Sequence, residues 1–299
     1  MRWPRRPWIL IAKRRRSSAG PRNMILDVRQ HVFINGFREM SALAYDRLDV
    51  LAVGPHPDDL EITCGGTLAK LVNQGYRVGI VDLTSGEPTP RGSEELRAAE
   101  AEAARQVLGV PLRLNAGLPN RELMDVPANR YVLATLFRRL RPAVIVSVAG
   151  RTPAASPDHH QAHLLIEAAR FWSQLTKWDD RFGGTPPHRI PHLVYAPFPF
   201  DAEVRHWHST FVIDISDTFE QKMAAVRCYA SQFDEARFAK VSHFVTGHAI
   251  STGSRCGFAY GEMFALPHPV GASDLHALVH GGKGVPAPAP LPQDPAQPQ

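Results

Sequence analysis

Cysteine is scarce in this chain: 3 residues in 299, at Cys64, Cys228 and Cys256. That number and scatter exclude a disulfide-stapled scaffold and a cysteine-rich zinc knuckle, and they fit a reducing, cytoplasmic setting. No apolar run approaches the roughly 18–20 residues a membrane-spanning helix needs, so no membrane partner is expected. Residues 1–24 hold no acid at all, against 8 Lys and Arg. Without them the chain carries 26 basic and 29 acidic residues, so the overall charge of +5 belongs to the leader and the remainder is mildly acidic. Nucleic acid is therefore not expected as a partner. Binding through the leader alone would fall steeply with salt and vanish on truncation to Met24, and the C-terminal stretch GFAYGEMF lacks the basic residues of a single-strand platform.

What the chain does have is 44% hydrophobic residues, enough for a sizeable core in one large domain or two tightly joined ones. Residues 1–45 read as a basic, disordered leader. Its apolar stretch, Trp8 to Ala12, is shorter than a secretory core, and Met24 or Met40 are alternative starts. Arg5-Arg6 lacks the apolar core of a twin-arginine signal. Residues 272–299, rich in Pro and Ala, read as a flexible tail. Between them, residues 46–271 alternate short β-branched runs with amphipathic stretches. Strands are expected at 48–54, 76–84 and 143–150, and again in HLVYAPF and TFVIDIS. Helices are expected at 65–75, 93–109, 128–142 and 158–175, and in DTFEQKMAAVRCYASQF. In the second of these, Ser93 is the N-cap, Gly109 lies past the end, and Leu96, Ala99, Ala103 and Leu108 fall near one face. This alternation predicts an α/β fold, a mostly parallel sheet with helices on both faces.

Functional groups of such a sheet collect in loops leaving the carboxyl ends of its strands. Two of these loops are rich in metal ligands: Pro55-His56-Pro57-Asp58-Asp59-Leu60-Glu61 and Ser156-Pro157-Asp158-His159-His160-Gln161-Ala162-His163. Imidazole and carboxylate suit a borderline ion such as Zn²⁺, and three protein ligands leave one position for water. His56, Asp59 and His159 supply the three. Neighbouring side chains diverge, so Asp58 can face the water as general base while Asp59 binds metal. Reading the twin aspartates as a helix cap leaves His56 and its flanking prolines unexplained. Cys64 is expected to be a small buried thiol, since a fourth protein ligand would close the site.

These residues resemble the LmbE/PIG-L family of N-acetylglucosaminyl deacetylases. The resemblance rests on His56-Pro57-Asp58-Asp59-Leu60-Glu61, the glycine pair Gly65-Gly66, and Ser156-Pro157-Asp158-His159 in place of the family's His-Pro-Asp-His. It runs from about Leu48 to Leu266 and is closest to the bacillithiol-pathway branch through SGEPTPRGSEELRAAEAEAARQVLG, continuing in GGTPPHRIPHLVYAPF and FAYGEMF. The resemblance implies a Rossmann-like zinc hydrolase that removes acetyl from an N-acetylglucosaminyl conjugate, best matched by N-acetylglucosaminyl L-malate. It implies one Zn²⁺ on His56, Asp59 and His159, Asp58 as base, and a small amino-sugar substrate met by Arg91, with Arg97 and Asn120 as weaker candidates. Without the resemblance Arg91 reads as an exposed loop cation. Glu61 is expected to accept the outer N–H of a ligating histidine. Relatives' association implies a homo-oligomer.

One position departs from the pattern. The family's first histidine, which acts with the following aspartate, here Asp158, on the oxyanion or the leaving amine, is Ser156. A serine hydroxyl donates one hydrogen bond but holds no positive charge near neutral pH. His160 or His163 could replace it, as could Tyr195 or His208 from the second half, or Asp58 could return the proton itself. Other readings are a deacetylase or amidase of a different acylated amino-sugar conjugate, with its choice set around Arg91 and residues 180–208, and a binding homologue weakened in catalysis.

Overall fold

A computed structural model describes residues 47–153, 155–199 and 209–271. The leader, the tail and His208 lie outside these residues. The chain runs β1 (Val50–Gly54), α1 (Asp59–Asn73), β2 (Val78–Asp82), α2 (Glu94–Leu108), β3 (Leu112–Asn115), α3 (Pro127–Leu140), β4 (Val144–Ala149) and α4 (Asp158–Trp172). It continues through a short 3-10 turn to β5 (His192–Pro197), β6 (Thr210–Asp214), α5 (Phe219–Arg227), α6 (Glu235–Ser254) and β7 (Gly261–Ala265).

The strands form one sheet in the order β3-β2-β1-β4-β5-β7-β6. The first five are parallel, with Ala52 of β1 level with Ile80 of β2 and Val146 of β4. β7 runs antiparallel to both β5 and β6. Right-handed crossovers place helices on opposite faces when the direction of winding reverses. Accordingly α1, α2 and α5 pack together, while α3 packs against α4. β1 and β2 are buried along their whole length, as sheets covered on both faces require. After β3 the chain crosses back to lay β4 beside β1. The loops leaving these two strands therefore diverge and open a crevice at the switch point. No described helix is long and apolar enough to cross a membrane.

Three local differences from the sequence expectation have physical causes. Helix α1 begins at Asp59 rather than Gly65, with a break at Cys64, whose φ of −140° is not helical. The glycine pair lies inside the helix because that helix rests on the chain after β6: a Cβ on Gly66 would sit 2.8 Å from Ile215. Helix α2 is capped by Ser93 and ended by Gly109 at φ 70°, as expected, but its buried face is Arg97, Glu100, Ala101, Ala104 and Leu108, and Leu96 is exposed. The inward stripe includes two charged residues that are bonded internally. Glu100 accepts from Ser231 N–H and Oγ–H, and Arg97 donates to the carbonyl of Pro57. Finally, β3, α6 and β7 are additions that apolar periodicity did not announce.

Candidate metal centre

β1 delivers the first loop. Leu83 N–H bonds to Gly54 O, and Thr84 bonds to Pro55 O through both its N–H and its hydroxyl, so the end of β2 grips the chain as it leaves β1. A turn closed by Asp59 N–H to His56 O then brings His56 and Asp59 together. Asp58, at φ 112°, occupies the left-handed region that a non-glycine residue enters at a cost of about 1–3 kcal/mol. The turn is held there by Arg97, whose Nη2 donates to Pro57 O at 2.5 Å. β4 delivers the second loop, in which His159 is the second residue of α4 and stacks at 4.2 Å on Phe198, just beyond β5.

The two loops meet. One ligand atom from each of His56, Asp59 and His159 lies within 4.8 Å of the others. Asp59 serves both imidazoles: its Oδ2 is 3.0 Å from His56 Nδ1, and its Oδ1 is 3.5 Å from His159 Nε2. The opposite nitrogens have partners of their own. His56 Nε2 is 3.3 Å from Asp158 Oδ2, and His159 Nδ1 is 2.8 Å from Thr152 Oγ1. In the neutral form that would bind metal, Asp158 accepts from His56 Nε2–H, which leaves the Nδ1 lone pair on the side of Asp59, and His159 Nε2 faces the same space. Two imidazole nitrogens and a carboxylate oxygen converging with their outer atoms already bonded fit a borderline divalent ion such as Zn²⁺, with room for water. Cys64 stays outside the group as a buried thiol, raised by burial above its ordinary range.

The electrostatics are those of a cation site. Burial opposes charge on His56, but its hydrogen bonds to Asp158 and Asp59 and the nearby Asp59 and Asp58 charges outweigh it and lift its pKa to about 10. Burial, reinforced by Asp59, raises Asp58 to about 8 against the pull of Arg97 and His56. Burial also works against ionisation of Asp59, yet the His159 and His56 charges hold it below the usual carboxylate range. His159 is lowered, mainly by burial.

A cavity of about 690 Å³ opens over this group. His56, Asp58, Asp59, Arg97, Asn120, Ser156 and His159 all line it, so seven of the residues singled out in the sequence come together. Four others stand elsewhere. Arg91 is exposed and ion-paired with Asp234, the residue capping α6. Tyr195 directs its hydroxyl to Glu167. Asp158 sits behind His56, and its Oδ2 also accepts Arg121 N–H at 2.7 Å. Glu61 contacts neither histidine: its Oε1 accepts from Arg113 Nη1 at 2.5 Å and Tyr229 OH at 2.8 Å. The bracing expected of Glu61 is done by Asp158 and Thr152, because Glu61 points back along α1 toward β3. His160 and His163 do not line the cavity; His163 lies 3.7 Å from Glu167 and near Tyr195.

Sequence reasoning missed Thr152 and the wall formed by Ile62, Phe233 and α6 residues Lys240, Val241, Phe244 and Val245. It also ranked Arg97 below Arg91. Arg97 is only 2% exposed, with Nη1 3.6 Å from Asp58 Oδ2, and its Nε and Nη1 lack hydrogen-bond partners among the described residues. A buried guanidinium that lines a cavity with unspent donors is equipped to bind a ligand.

Comparison with known proteins agrees with this architecture. Residues 51–170 match the family model described as PIG-L, GlcNAc-PI de-N-acetylase. Diacetylchitobiose deacetylase of Thermococcus kodakarensis is 30% identical over 71% of this chain and 80% of its own length. The 4-oxalmesaconate hydratase of Pseudomonas putida is 28% identical over 61% of this chain and 73% of its own. Among solved structures, a conserved protein of Thermus thermophilus superposes with a TM-score of 0.67 and 35% identity, covering 76% of this chain and 98% of that one. The chain belongs to the PIG-L family.

Proposed function

We propose that this protein hydrolyses the acetamide of an N-acetylglucosaminyl conjugate, releasing acetate and the free amine, with Zn²⁺ as its metal. The observation that carries this reading is the convergence in one cavity of the His56-Asp59-His159 group, the unligated carboxylate of Asp58 and the unspent donors of Arg97. It is supported by the family and by the deacetylase named among the relatives. The N-acetylglucosaminyl L-malate conjugate is the narrower candidate that the sequence resemblance favours.

A zinc ion held by His56, Asp59 and His159 would supply the Lewis acidity that polarises the acetyl carbonyl and acidifies a water molecule. The chain's own residues do the rest. Asp58, next to the ligands but turned from them, takes the proton of the attacking water and returns it to the amine as the C–N bond breaks. Among the described alternatives to the family histidine, His160 and His163 stand outside the cavity and Tyr195 is bonded to Glu167, so this reading gives Asp58 both directions. Ser156 Oγ accepts from Asp158 N–H at 3.2 Å, so its own hydrogen is left to meet the developing oxyanion. Arg97 lines the cavity on the side where the sugar would lie and, by its charge, favours the ionised form of Asp58.

The test is acetate and amine release from acetamido sugars by zinc-loaded protein, beside Asp58→Asn. Asp58→Asn should keep the metal and lose about 10²–10⁴ in kcat. Turnover by that variant at the parent rate removes Asp58 from the mechanism. A zinc-loaded parent that releases no acetate from any acetamido sugar removes the function.

A further inference from the structure

The cavity is larger than acetamide chemistry requires, and its second wall differs from the first. Ile62, Phe233, Val241, Phe244 and Val245 line that wall and bring no side-chain hydrogen-bonding group to it. The wall is the outer surface of a packed unit rather than a loose flap. Ile215, Phe219, Met223, Val245 and Ala249 form a small core, against which Ile62, Phe238 and Val241 lie. Among the described polar groups beside the wall, the amide nitrogen of Gln232 is tied back into the protein. Gln232 donates to Ser231 Oγ at 2.9 Å and to Thr89 Oγ1 at 3.3 Å, and Thr89 Oγ1 itself donates to Glu87 and accepts from Gly92 N–H. Two cations, Arg121 and Lys240, also line the cavity, but both are exposed, so their fields are screened by water and salt.

We propose that this wall receives an apolar aglycone, so that the amino sugar taken by the site carries an alkyl or aryl group rather than a polyol or a dicarboxylate. The inference rests on the deacetylase reading above, narrows its substrate class, and within it sets aside the L-malate conjugate that the sequence resemblance favours. A hydroxyl pressed against Val241, Phe244 and Val245 would lose water without gaining a partner from them, and each unpaired group is costly, while a carboxylate would meet only the exposed, screened charges of Lys240 and Arg121. An alkyl or phenyl group gains from the same burial in proportion to its area. The volume of about 690 Å³ is of the size that encloses a drug-sized ligand, so sugar and aglycone fit together.

The experiment compares zinc-loaded full-length protein on methyl, octyl and phenyl N-acetylglucosaminides, on the L-malate conjugate, and on a methyl glucosaminide series with N-acyl chains lengthened from acetyl. Each substrate is measured by kcat/KM and, independently, by calorimetric binding. The octyl glycoside should exceed the methyl glycoside by about tenfold or more in kcat/KM and in affinity. Phe244→Ser and Val241→Ser should each pull the octyl-to-methyl ratio toward one, a ratio that any loss of folded protein leaves unchanged. An octyl-to-methyl ratio near one in the parent, or preference for the malate conjugate, overturns the proposal. A rise with acyl length in place of aglycone length overturns it as well, by giving the wall to the acyl group. If no glycoside is hydrolysed, the deacetylase reading fails, while the octyl-against-methyl affinities still decide what the wall binds.

Discussion

The two walls of the cavity are made of different material. On the β1 and β4 side, charge is buried and every charged group is constrained by another. Asp59 stands between two imidazoles, Asp158 holds His56, and Arg97 lies against Asp58. Behind them Arg113 ties Asp82 to Glu61, and Tyr229 closes the network on Glu61. On the α6 side the material is Ile62, Val241, Phe244 and Val245, held by a small apolar cluster. Buried charge held by such partners fixes atoms to fractions of an ångström, which proton transfer and metal binding need. Apolar contact is non-directional and tolerates changes in shape. The first wall therefore sets the reaction, and the second sets what is attached to the reacting group.

The largest effect outside the reacting residues is expected at Thr152. Its hydroxyl, 2.8 Å from His159 Nδ1, fixes that ring with Nε2 toward Asp59. Thr152→Val keeps the shape and removes the bond, and zinc affinity should fall about 10–100-fold. Competition against a chelator measures it, and unchanged affinity would mean that ring stacking on Phe198 alone orients His159. Next comes Arg97→Lys, which keeps a positive charge near Asp58 but loses the guanidinium fork. KM should rise about tenfold with zinc content unchanged; a fall in kcat at constant KM would instead make Arg97 a partner of Asp58 only.

Much of the first wall was legible in the sequence because its ligands lie in two short loops, and the strands before them announce where those loops leave the sheet. His56, Asp58, Asp59 and His159 needed only that spacing. The partners of those residues were not legible. Glu61 meets Arg113 and Tyr229, 52 and 168 positions away, and only the arrangement of the strands brings them together. Arg97 was undervalued for a related reason: apolar periodicity placed Leu96 inward, whereas the buried stripe runs through the arginine. The second wall was the least legible. Helix α6 scatters its Val, Thr, His and Gly residues, and only four of its 20 positions are buried, so no sharp apolar face marks it.

A pH experiment separates the walls by their charge. In the metal-free protein His56 is raised from 6.5 to about 10, so its contribution to stability is fully present below pH 6.5 and is lost as pH rises toward 10. Asp58, raised from 3.8 to about 8, acts in the same sense over a lower window, since the fold prefers its protonated form. Metal binding needs a neutral His56, so zinc becomes more effective as pH rises. The melting temperature of chelator-treated protein should therefore decline between pH 6.5 and 10, while the gap between zinc-loaded and metal-free protein widens. Scanning calorimetry in both states checks this. A metal-free profile flat over that range would mean that His56 is not held charged by Asp158 and Asp59.

The smallest effect is expected at Arg91, and it sharpens the contrast most. Arg91 and Arg97 sit six residues apart in one stretch of chain, and the family resemblance points to Arg91. In the structure Arg91 is exposed against Asp234 at the start of α6, whereas Arg97 lies at the bottom of the cavity beside Asp58. An exposed ion pair contributes about 0–1 kcal/mol because solvent and salt screen it. Arg91→Ala should then change KM and kcat for an acetamido sugar less than about twofold, within the range of an exposed substitution. A tenfold rise in KM would show that Arg91 leaves Asp234 and swings over the substrate. The start of α6 would then be a moving part of the second wall, and its apolar residues would close on the aglycone together with that arginine.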